Sequence, residues 1–376
     1  MKKFKKFAAL ALAATMAMTA LTACGGDKAP ADGDNAAQTE AEDVTTVGFI
    51  YIGSKNDGGY TQAQNQGTDA VKEYFGDKVE ILTAESVSED KQTVKTNAVN
   101  MIDNGASIIV GTSFGYMDAI EELSQEYPEV TFLHFSGNKM NDTNFANYFG
   151  AMEEPRYLSG IIAGMQTESN KIGYVAAYPY TEVLIGIDAF TLGVQSVNPD
   201  AEVKVVYINS WNDPANEKAA AESLLAQGCD VLAQHCDSTG PQVAAEAAGA
   251  YAIGYNLANP DAAPKAFLTA PIWHHDKFLV PTIESIIKGE FKPVSYYGNM
   301  ADGYVDLAPL SDLVKPEAKE KVEEIRKQME AGEFNVFTGP IYDNEGNEVV
   351  KEGEALDRAG IWSIDYLVKG ASGANN

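Results

Sequence analysis

A serine at position 113 lies in a motif that some hydrolases use for their nucleophile. Residues 111–115 have the sequence Gly-Thr-Ser-Phe-Gly, which matches G-x-S-x-G, and an apolar segment that predicts a strand precedes them. The corresponding turn in a second copy of this segment, residues 234–238, is Gln-His-Cys-Asp-Ser and lacks the motif. No HGGG-type oxyanion segment precedes Ser113 either. We therefore expect a loop serine in a protein that is not an enzyme; the alternative is a hydrolase or nucleosidase that uses Ser113.

Two triplets contain residue types that bind metal ions. They are His-Cys-Asp at residues 235–237 and His-His-Asp at residues 274–276. Neighbouring side chains on a strand or a helix point in different directions, so a site would need ligands from both triplets. The sequence also lacks the G-x-x-x-x-G-K-[ST] phosphate loop. We therefore expect neither a metal site nor a cofactor.

Aromatic residues in the turns after predicted strands favour the binding of a flat ligand. Asp57 and Tyr60 follow the first strand, and Trp211 follows a strand of the later half. Phe114 and Trp273 lie at two further strand ends. Two rings that face each other across a cleft form a slot for a flat π-system, and each contact stabilises it by about 0.5–1.5 kcal/mol beyond area burial. The sequence therefore predicts a binding site in these turns.

The elements that position these turns occur twice along the chain. Four strand-like segments recur in the same order 120 to 125 residues further on: 47–51 and 172–176, 79–82 and 203–206, 104–110 and 227–233, 130–134 and 250–254. The strands are short and apolar, as in sheets covered on both faces, and helical patterns separate them. Alternating strands and helices form parallel βαβ units, and such sheets bind ligands at the carboxyl ends of their strands. We predict an α/β fold of two doubly wound parallel-sheet lobes with the ligand in the crevice between them.

Local signals agree with this pattern. Residues 90–103 predict an amphipathic helix, and Ser-Val-Ser-Glu at residues 86–89 resembles a capping box ahead of it. Gly105 and Gly228 follow predicted helix ends, where a left-handed residue is favoured. Residues 267–376 do not repeat and contain predicted helices at 274–288 and 315–331 and a strand at 304–307.

The lobes are expected to be discontinuous in sequence. Lobe one would comprise residues 44–150 plus about 271–303, and lobe two residues 151–270 plus about 304–376. Crossings near Gly150, Ala270 and Gly303 would together form a multi-strand hinge. The alternative is two independent domains with one linker, although no Pro/Gly/Ser-rich linker divides the repeats.

The N-terminal residues predict secretion and a lipid anchor. Four lysines precede an apolar stretch at residues 7–21, which is shorter than the ~20 residues of a membrane-spanning helix. The stretch ends in Leu-Thr-Ala-Cys, so we expect a signal peptide at residues 1–23 and lipidation of Cys24, for example by palmitate. Residues 24–43 consist mainly of small, polar and acidic residues and contain no large apolar side chain. We expect them to be a flexible tether. The expected location is the extracytoplasmic face of the cell membrane.

Charge and cysteine content exclude further classes of protein. The chain has a formal charge of −27, which repels phosphate backbones and makes a nucleic-acid partner unexpected. Cys229 and Cys236 lie at the two ends of a predicted strand, about 23 Å apart. A disulfide requires Cα atoms within about 7 Å, so we predict two free thiols.

The combination of motifs resembles the basic membrane protein family of ABC-transporter substrate-binding lipoproteins, whose best-understood members are purine nucleoside receptors. The similarity covers about residues 47–312 and is carried by Asp-Gly-Gly-Tyr-Thr-Gln at 57–62, Tyr-Leu-Ser-Gly-Ile-Ile-Ala-Gly at 157–164 and Trp-Asn-Asp-Pro at 211–214. The resemblance implies a type I periplasmic-binding-protein architecture and ABC permease and ATPase subunits as partners. It also implies that Tyr60 and Trp211 sandwich a purine.

Two departures from the family lie where its nucleoside receptors bind the sugar. Asn256 stands in place of an Asp, and the segment that ends at Trp273 lacks the family's Lys. His235 and Asp237 offer polar groups for ring nitrogens and an exocyclic amine. We therefore expect an adenine-like free base to bind in preference to its nucleoside. A signalling receptor with the same lobes is a further alternative.

Overall fold

The computed structural model describes residues 44–373. The predicted signal peptide, the Cys24 anchor and residues 24–43 of the tether therefore lie outside the described residues. Within residues 44–373, no helix has the length and apolar character needed to cross a membrane.

The first half of the described chain alternates strands and helices, as the sequence predicts. Its elements are β1 (Thr45–Ile50), α1 (Tyr60–Phe75), β2 (Val79–Ala84), α2 (Lys91–Asp103), β3 (Ala106–Gly111), α3 (Met117–Glu126), β4 (Thr131–Phe135) and β5 (Phe145–Gly150).

The second half repeats this order. Its elements are α4 (Glu153–Gln166), β6 (Lys171–Ala176), α5 (Thr181–Val197), β7 (Glu202–Tyr207), α6 (Pro214–Ala226), β8 (Val231–His235), α7 (Gly240–Ala248), β9 (Tyr251–Ile253) and β10 (Phe267–Thr269).

The non-repeating remainder contributes shorter elements. They are β11 (Pro271–Trp273), α8 (Asp276–Ile287), β12 (Ser295–Gly298), β13 (Val305–Leu307), α9 (Pro316–Glu330), β14 (Ile341–Tyr342), β15 (Glu348–Val350), α10 (Arg358–Ile361) and β16 (Ala371–Gly373).

Two parallel six-stranded sheets define two lobes, which confirms the predicted fold class. Lobe one contains the sheet β12-β5-β4-β3-β1-β2, and lobe two contains the sheet β10-β9-β8-β6-β7-β16. The order β4-β3-β1-β2 in lobe one corresponds to β9-β8-β6-β7 in lobe two, so the internal repeat is also confirmed. Nearly every residue of β1 and β6 is buried, as expected for strands covered on both faces.

The chain passes between the two sheets at three places. It leaves β5 for α4, returns from β10 through β11 to α8, and passes from β12 through β13 to α9. Helix α8 packs against α1, whereas α9 packs against α4. Strands β11 and β13 pair antiparallel, with Ile272 opposite Asp306, so two of the crossings are hydrogen-bonded to each other.

Helices α4 and α5 form the closest helix pair of lobe two. A Cβ added at Gly160 would lie 2.0 Å from the carbonyl oxygen of Phe190, and one at Gly193 would lie 2.0 Å from that of Tyr157. Only glycine permits this backbone approach. The two helices are therefore in direct backbone contact.

One local prediction is wrong and two are confirmed. Helix α2 is capped by Asp90, whose carboxylate accepts a hydrogen bond from the Thr93 N–H at 2.9 Å, and the predicted capping box at residues 86–89 does not form. Asp90, the residue immediately before α2, caps the helix instead. Gly105 and Gly228 have φ of 94° and 89°, as predicted for left-handed residues after helices. In the described part of the chain, both cysteines are free and buried, as predicted.

Candidate ligand-binding cleft

A cavity of about 670 Å³ of empty space, including its mouth, lies between the two lobes. This volume is typical of small-molecule sites. Its lining from lobe one is Ile52, Gly53, Asp57, Tyr60, Thr61, Glu89, Ser113, Phe114, Phe135 and Ser136. Its lining from lobe two is Glu182, Trp211, Asn212, His235, Asp237 and Tyr255. Most of these residues follow the carboxyl ends of parallel strands, where open α/β sheets bind ligands.

Tyr60 and Trp211 are brought to this cavity from opposite lobes. The Tyr60 hydroxyl donates a hydrogen bond to the Thr112 carbonyl oxygen, and its ring lies 6.0 Å from that of Phe135. The Trp211 ring packs edge-on against Tyr178, with centroids 5.5 Å apart. Each ring is therefore positioned by contacts within its own lobe, and both rings line the cavity.

Asp57 lines the cavity, but its carboxylate is occupied by the start of α1. It accepts hydrogen bonds from the backbone N–H groups of Gly59, Thr61 and Gln62 at 2.9–3.0 Å. These bonds satisfy N–H groups that have no partner inside the helix. Asp57 therefore positions Tyr60, the first residue of α1.

Asn256 and Trp273 do not line the cavity; they lie behind it. The Trp273 Nε1–H donates to Asn256 Oδ1 at 3.0 Å, and Asn256 Nδ2 donates to Asp237 Oδ1 at 3.2 Å. The Trp273 ring packs edge-on against Phe135, 5.2 Å away, among the rings near the crossing strands. The sequence expectation of direct ligand contact is corrected for both residues, because their polar groups are already paired with each other and with Asp237.

Asp237 and His235 are buried polar groups that face the cavity. Asp237 is 8% exposed, and burial raises the pKa of its carboxyl well above the usual range, with Asp57 and Glu217 adding to the rise. His235 is 2% exposed, and burial lowers the pKa of its imidazole well below the usual range. Within the described residues, both ring nitrogens of His235 are buried without a hydrogen-bond partner, and Asp237 accepts one side-chain hydrogen bond, at Oδ1 from Asn256. Buried polar atoms are normally hydrogen-bonded, so these atoms are available to a ligand.

Glu182 is a cavity residue that the sequence did not single out. It lies in the first turn of α5, after β6. The internal repeat was the available signal, because Tyr60 begins the helix after β1 and α5 is the corresponding helix of lobe two. Burial raises the pKa of the Glu182 carboxyl to about 7, although Arg156 opposes the rise.

The hydroxyl of Ser113 is bonded to a carboxylate and not to a histidine in the described residues. Its hydroxyl donates to Glu89 Oε1 at 2.6 Å, and the same oxygen accepts from the Gly115 N–H. His134 Nε2 lies 2.8 Å from the Ser113 backbone oxygen, so it contacts the main chain and not the hydroxyl. A Ser-His-acid arrangement needs a histidine on the serine hydroxyl, and no histidine in residues 44–373 contacts that of Ser113. Phe114, next to it, is 54% exposed at the rim of the cavity.

The two metal-type triplets are separated in the structure. His235 lines the cavity, whereas His275 is buried beside Trp273 and lies 3.1 Å from the Tyr304 hydroxyl through Nδ1. No three His, Cys, Asp or Glu side chains between residues 44 and 373 could jointly hold a metal ion.

The lobes touch beside the cavity. A Cβ built on Gly59 of lobe one would lie 1.8 Å from the carbonyl oxygen of Asp237 in lobe two. Nearby, Asn259 Nδ2 donates to the Gly58 oxygen at 2.5 Å. These contacts show the two lobes closed upon each other at this edge.

Comparisons with known proteins agree with this geometry. Residues 44–336 match the sequence profile of the Bmp family, described as ABC transporter substrate-binding protein PnrA-like. A purine-binding protein of Brucella abortus is 36% identical over 330 residues, covering 88% of this chain and 93% of that protein. A protein of Haloferax volcanii with the provisional name ABC transporter glucose-binding protein TsgA13 is 35% identical over 317 residues, covering 84% and 79%. In fold, the chain is similar to a solved ABC transporter solute-binding protein from Aeropyrum pernix K1, with a TM-score of 0.68, 19% identity, and 80% and 93% of the two chains covered.

Proposed function

The chain belongs to the Bmp family of ABC-transporter substrate-binding proteins, and from this premise we propose that its ligand is a purine-type, adenine-like base. As the substrate-binding component of such a transporter, the protein has a small-molecule ligand and works with permease and ATPase subunits. The observation that carries the proposal is one cavity that joins Tyr60 and Trp211 from opposite lobes with Asp237 and the unpaired ring nitrogens of His235.

The ring pair supports a flat heterocycle, and the buried polar atoms would select among heterocycles. Stacking tolerates any aromatic ring, so hydrogen bonds at the ring edges must determine specificity. Asp237 Oδ2 can accept from an exocyclic amine, and a neutral His235 has one donor and one acceptor nitrogen. The similar protein of Brucella abortus is named for purine binding, which supports the same ligand class.

Preference for the base over the nucleoside rests on the two positions at which the family's nucleoside receptors bind the sugar, which here contribute no charged group to the cavity. Asn256 and Trp273 are paired with each other, and neither lines the cavity. The lining also contains no lysine or arginine. A hydrogen bond to a charged group contributes about 1.5–3 kcal/mol, so its absence would weaken nucleoside binding by about tenfold or more.

The proposal includes export of the protein and its attachment to the membrane through Cys24. Support comes from the Leu-Thr-Ala-Cys sequence at residues 21–24 and the polar segment that follows it. The anchor would hold the ligand-binding lobes on the extracytoplasmic face, beside the permease.

Isothermal titration calorimetry of the purified protein with adenine, adenosine and glucose tests the ligand assignment. We expect adenine to bind about tenfold or more tightly than adenosine, and glucose not to bind. Chromatography of recovered adenosine should show no released base, which separates binding from nucleosidase activity. Tighter binding of adenosine than of adenine would refute the base preference, and binding of glucose alone would refute the purine class.

A further inference from the structure

Glu182 lines two neighbouring spaces. It lines the main cavity and also a smaller inner chamber of about 280 Å³, whose walls include Glu153, Tyr297 and Trp362. His235 and Tyr255 line both spaces as well. Glu182, His235 and Tyr255 therefore form a partition between the cavity and the chamber. A ligand in the cavity would contact these side chains at the cavity's inner end.

The carboxyl group of Glu182 is uncommitted. In residues 44–373 it makes no hydrogen bond or ion pair, unlike Glu153, which accepts from the Tyr297 hydroxyl at 3.0 Å. Next to it on the partition, His235 is almost fully buried and both of its ring nitrogens lack partners. Two neighbouring polar groups without protein partners indicate a place where the ligand supplies the missing hydrogen bonds.

We propose that Glu182 determines specificity by binding one edge of the base as an uncharged carboxylic acid, with its C=O accepting from a ring N–H and its O–H donating to the adjacent ring nitrogen. This proposal rests on the proposed purine ligand. A free adenine offers such a pair at N9–H and N3. A nucleoside does not, because its sugar occupies N9. The same group would therefore select purines and exclude nucleosides.

The surroundings of Glu182 favour the uncharged form in the presence of this ligand. Burial holds the pKa of its carboxyl at about 7, so the acid and the carboxylate are both accessible near neutrality and the ligand selects between them. The nearest cation is Arg156, whose Nη1 donates to the Gln234 oxygen and whose guanidinium lies 3.8 Å over the Tyr255 ring. The other titratable groups that line the two spaces are Asp57, Glu89, Glu153, Asp237, His235, Tyr60, Tyr255 and Tyr297. None of the described carboxylates forms an ion pair with Arg156, so that charge does not fix Glu182 as an anion.

The ionised form of Glu182 would have a different preference. A carboxylate only accepts hydrogen bonds, so it would favour a ligand edge with two donors or a positive charge. Glutamine resembles the acid in shape and offers both a donor and an acceptor, whereas leucine offers neither. Glu182→Gln and Glu182→Leu therefore distinguish the two forms, and each is nearly matched to glutamate in size.

Calorimetry of the full chain with adenine and 9-methyladenine, at pH 6 and pH 8, tests the proposal. For the wild type we expect 9-methyladenine to bind about tenfold more weakly than adenine, and adenine to bind more weakly at pH 8 than at pH 6. E182L should lose about twentyfold in adenine affinity and most of its preference for adenine over 9-methyladenine. E182Q should retain adenine affinity within about fivefold of the wild type and lose most of the pH dependence. Melting temperatures without ligand establish that both variants are folded.

The outcomes separate this inference from the proposed function. Wild-type affinity for adenine in E182L would overturn the role of Glu182 and leave the purine assignment intact. A loss in E182Q as large as that in E182L would show that the carboxylate, and not the acid, binds the ligand. If the wild type binds neither purine, the proposed function is refuted, and the assignment of Glu182 to a purine edge is refuted with it.

Discussion

Replacement of Gly59 by alanine should prevent the cleft from closing. The new Cβ would lie 1.8 Å from the Asp237 carbonyl oxygen, whereas ordinary contacts begin at about 3.4 Å. The two backbones must therefore separate by about 1.6 Å. All three of the nearest atoms belong to Asp237, in the opposite lobe, so the open form has no such clash.

The expected loss of affinity is that of the ligand contacts made by one lobe, chiefly those of its aromatic ring. A ring contact contributes about 0.5–1.5 kcal/mol beyond area burial, and burial of the ring's apolar surface adds about 1.5–3 kcal/mol. Together these lie at about 2–4.5 kcal/mol, which raises Kd for adenine by roughly 30- to 2,000-fold. The open form would still bind weakly through the ring of a single lobe.

Titration calorimetry measures this Kd, and small-angle scattering with and without adenine measures closure. We expect the wild type to contract on adding adenine and Gly59→Ala to contract less. Gly360→Ala is the control, because Gly360 lies outside the cavity lining and its added Cβ meets nothing closer than 3.2 Å. A Gly59→Ala variant with wild-type melting temperature and a Kd within about threefold of the wild type would refute the reasoning.

Further substitutions test the ring slot, the serine, the anchor and the buried acids. Trp211→Ala should weaken adenine binding by about tenfold or more in calorimetry, and an unchanged Kd would exclude stacking. Ser113→Ala should leave adenine binding within about threefold of the wild type and lower the melting temperature slightly, because its hydroxyl bonds only to a loop carboxylate. Cys24→Ala should move the protein from the membrane to the soluble fraction on an immunoblot; retention in the membrane would refute the anchor. Burial raises the pKa of Glu153 and Glu182 from 4.5 to about 7, so the folded state binds more protons and its melting temperature should fall as pH rises from about 5 to 8. The decrease should be smaller in E153Q/E182Q, and an equal decrease would show that other groups cause it.

The repeat made much of the fold predictable, because each strand and helix recurs with its own local pattern. The strands β1 to β4 and β6 to β9 are apolar runs of ordinary length, and helices with clear periodicity separate them. The edge strand β16 was not predictable in this way. It consists of Ala, Ser and Gly at residues 371–373 and pairs with β7, almost 170 residues earlier in the chain. Its formation depends on the exposed edge of lobe two and not on its own sequence.

The candidate site was predictable where strand ends determine position. Tyr60, Trp211 and His235 line the cavity because each lies at or shortly after the carboxyl end of a strand of one of the two sheets. Asn256 and Trp273 also lie near strand ends and were expected to line the cavity. Their contacts depend instead on the pairing between β11 and the segment around Asn256. Asn256 has φ of 68°, and it forms a bridge with Ile272 of β11. That pairing turns its side chain toward Trp273 and Asp237, which no local pattern could show.

Hydrogen bonds from Trp273 through Asn256 to Asp237 link the crossing strand β11 to the cavity between the lobes. Trp273 belongs to β11, one of the crossing strands, and β11 pairs with the other crossing strand, β13. Asp237 lies in lobe two and contacts Gly59 of lobe one through its backbone. A change in the angle between the lobes would therefore displace β11 and Trp273 with it. Trp273 bonds to Asn256, which in turn orients the Asp237 carboxyl group at the cavity. Asp237 takes part both in the contact between the lobes and in the cavity lining. Asn256 and Trp273 therefore affect ligand binding by orienting Asp237, although neither lines the cavity.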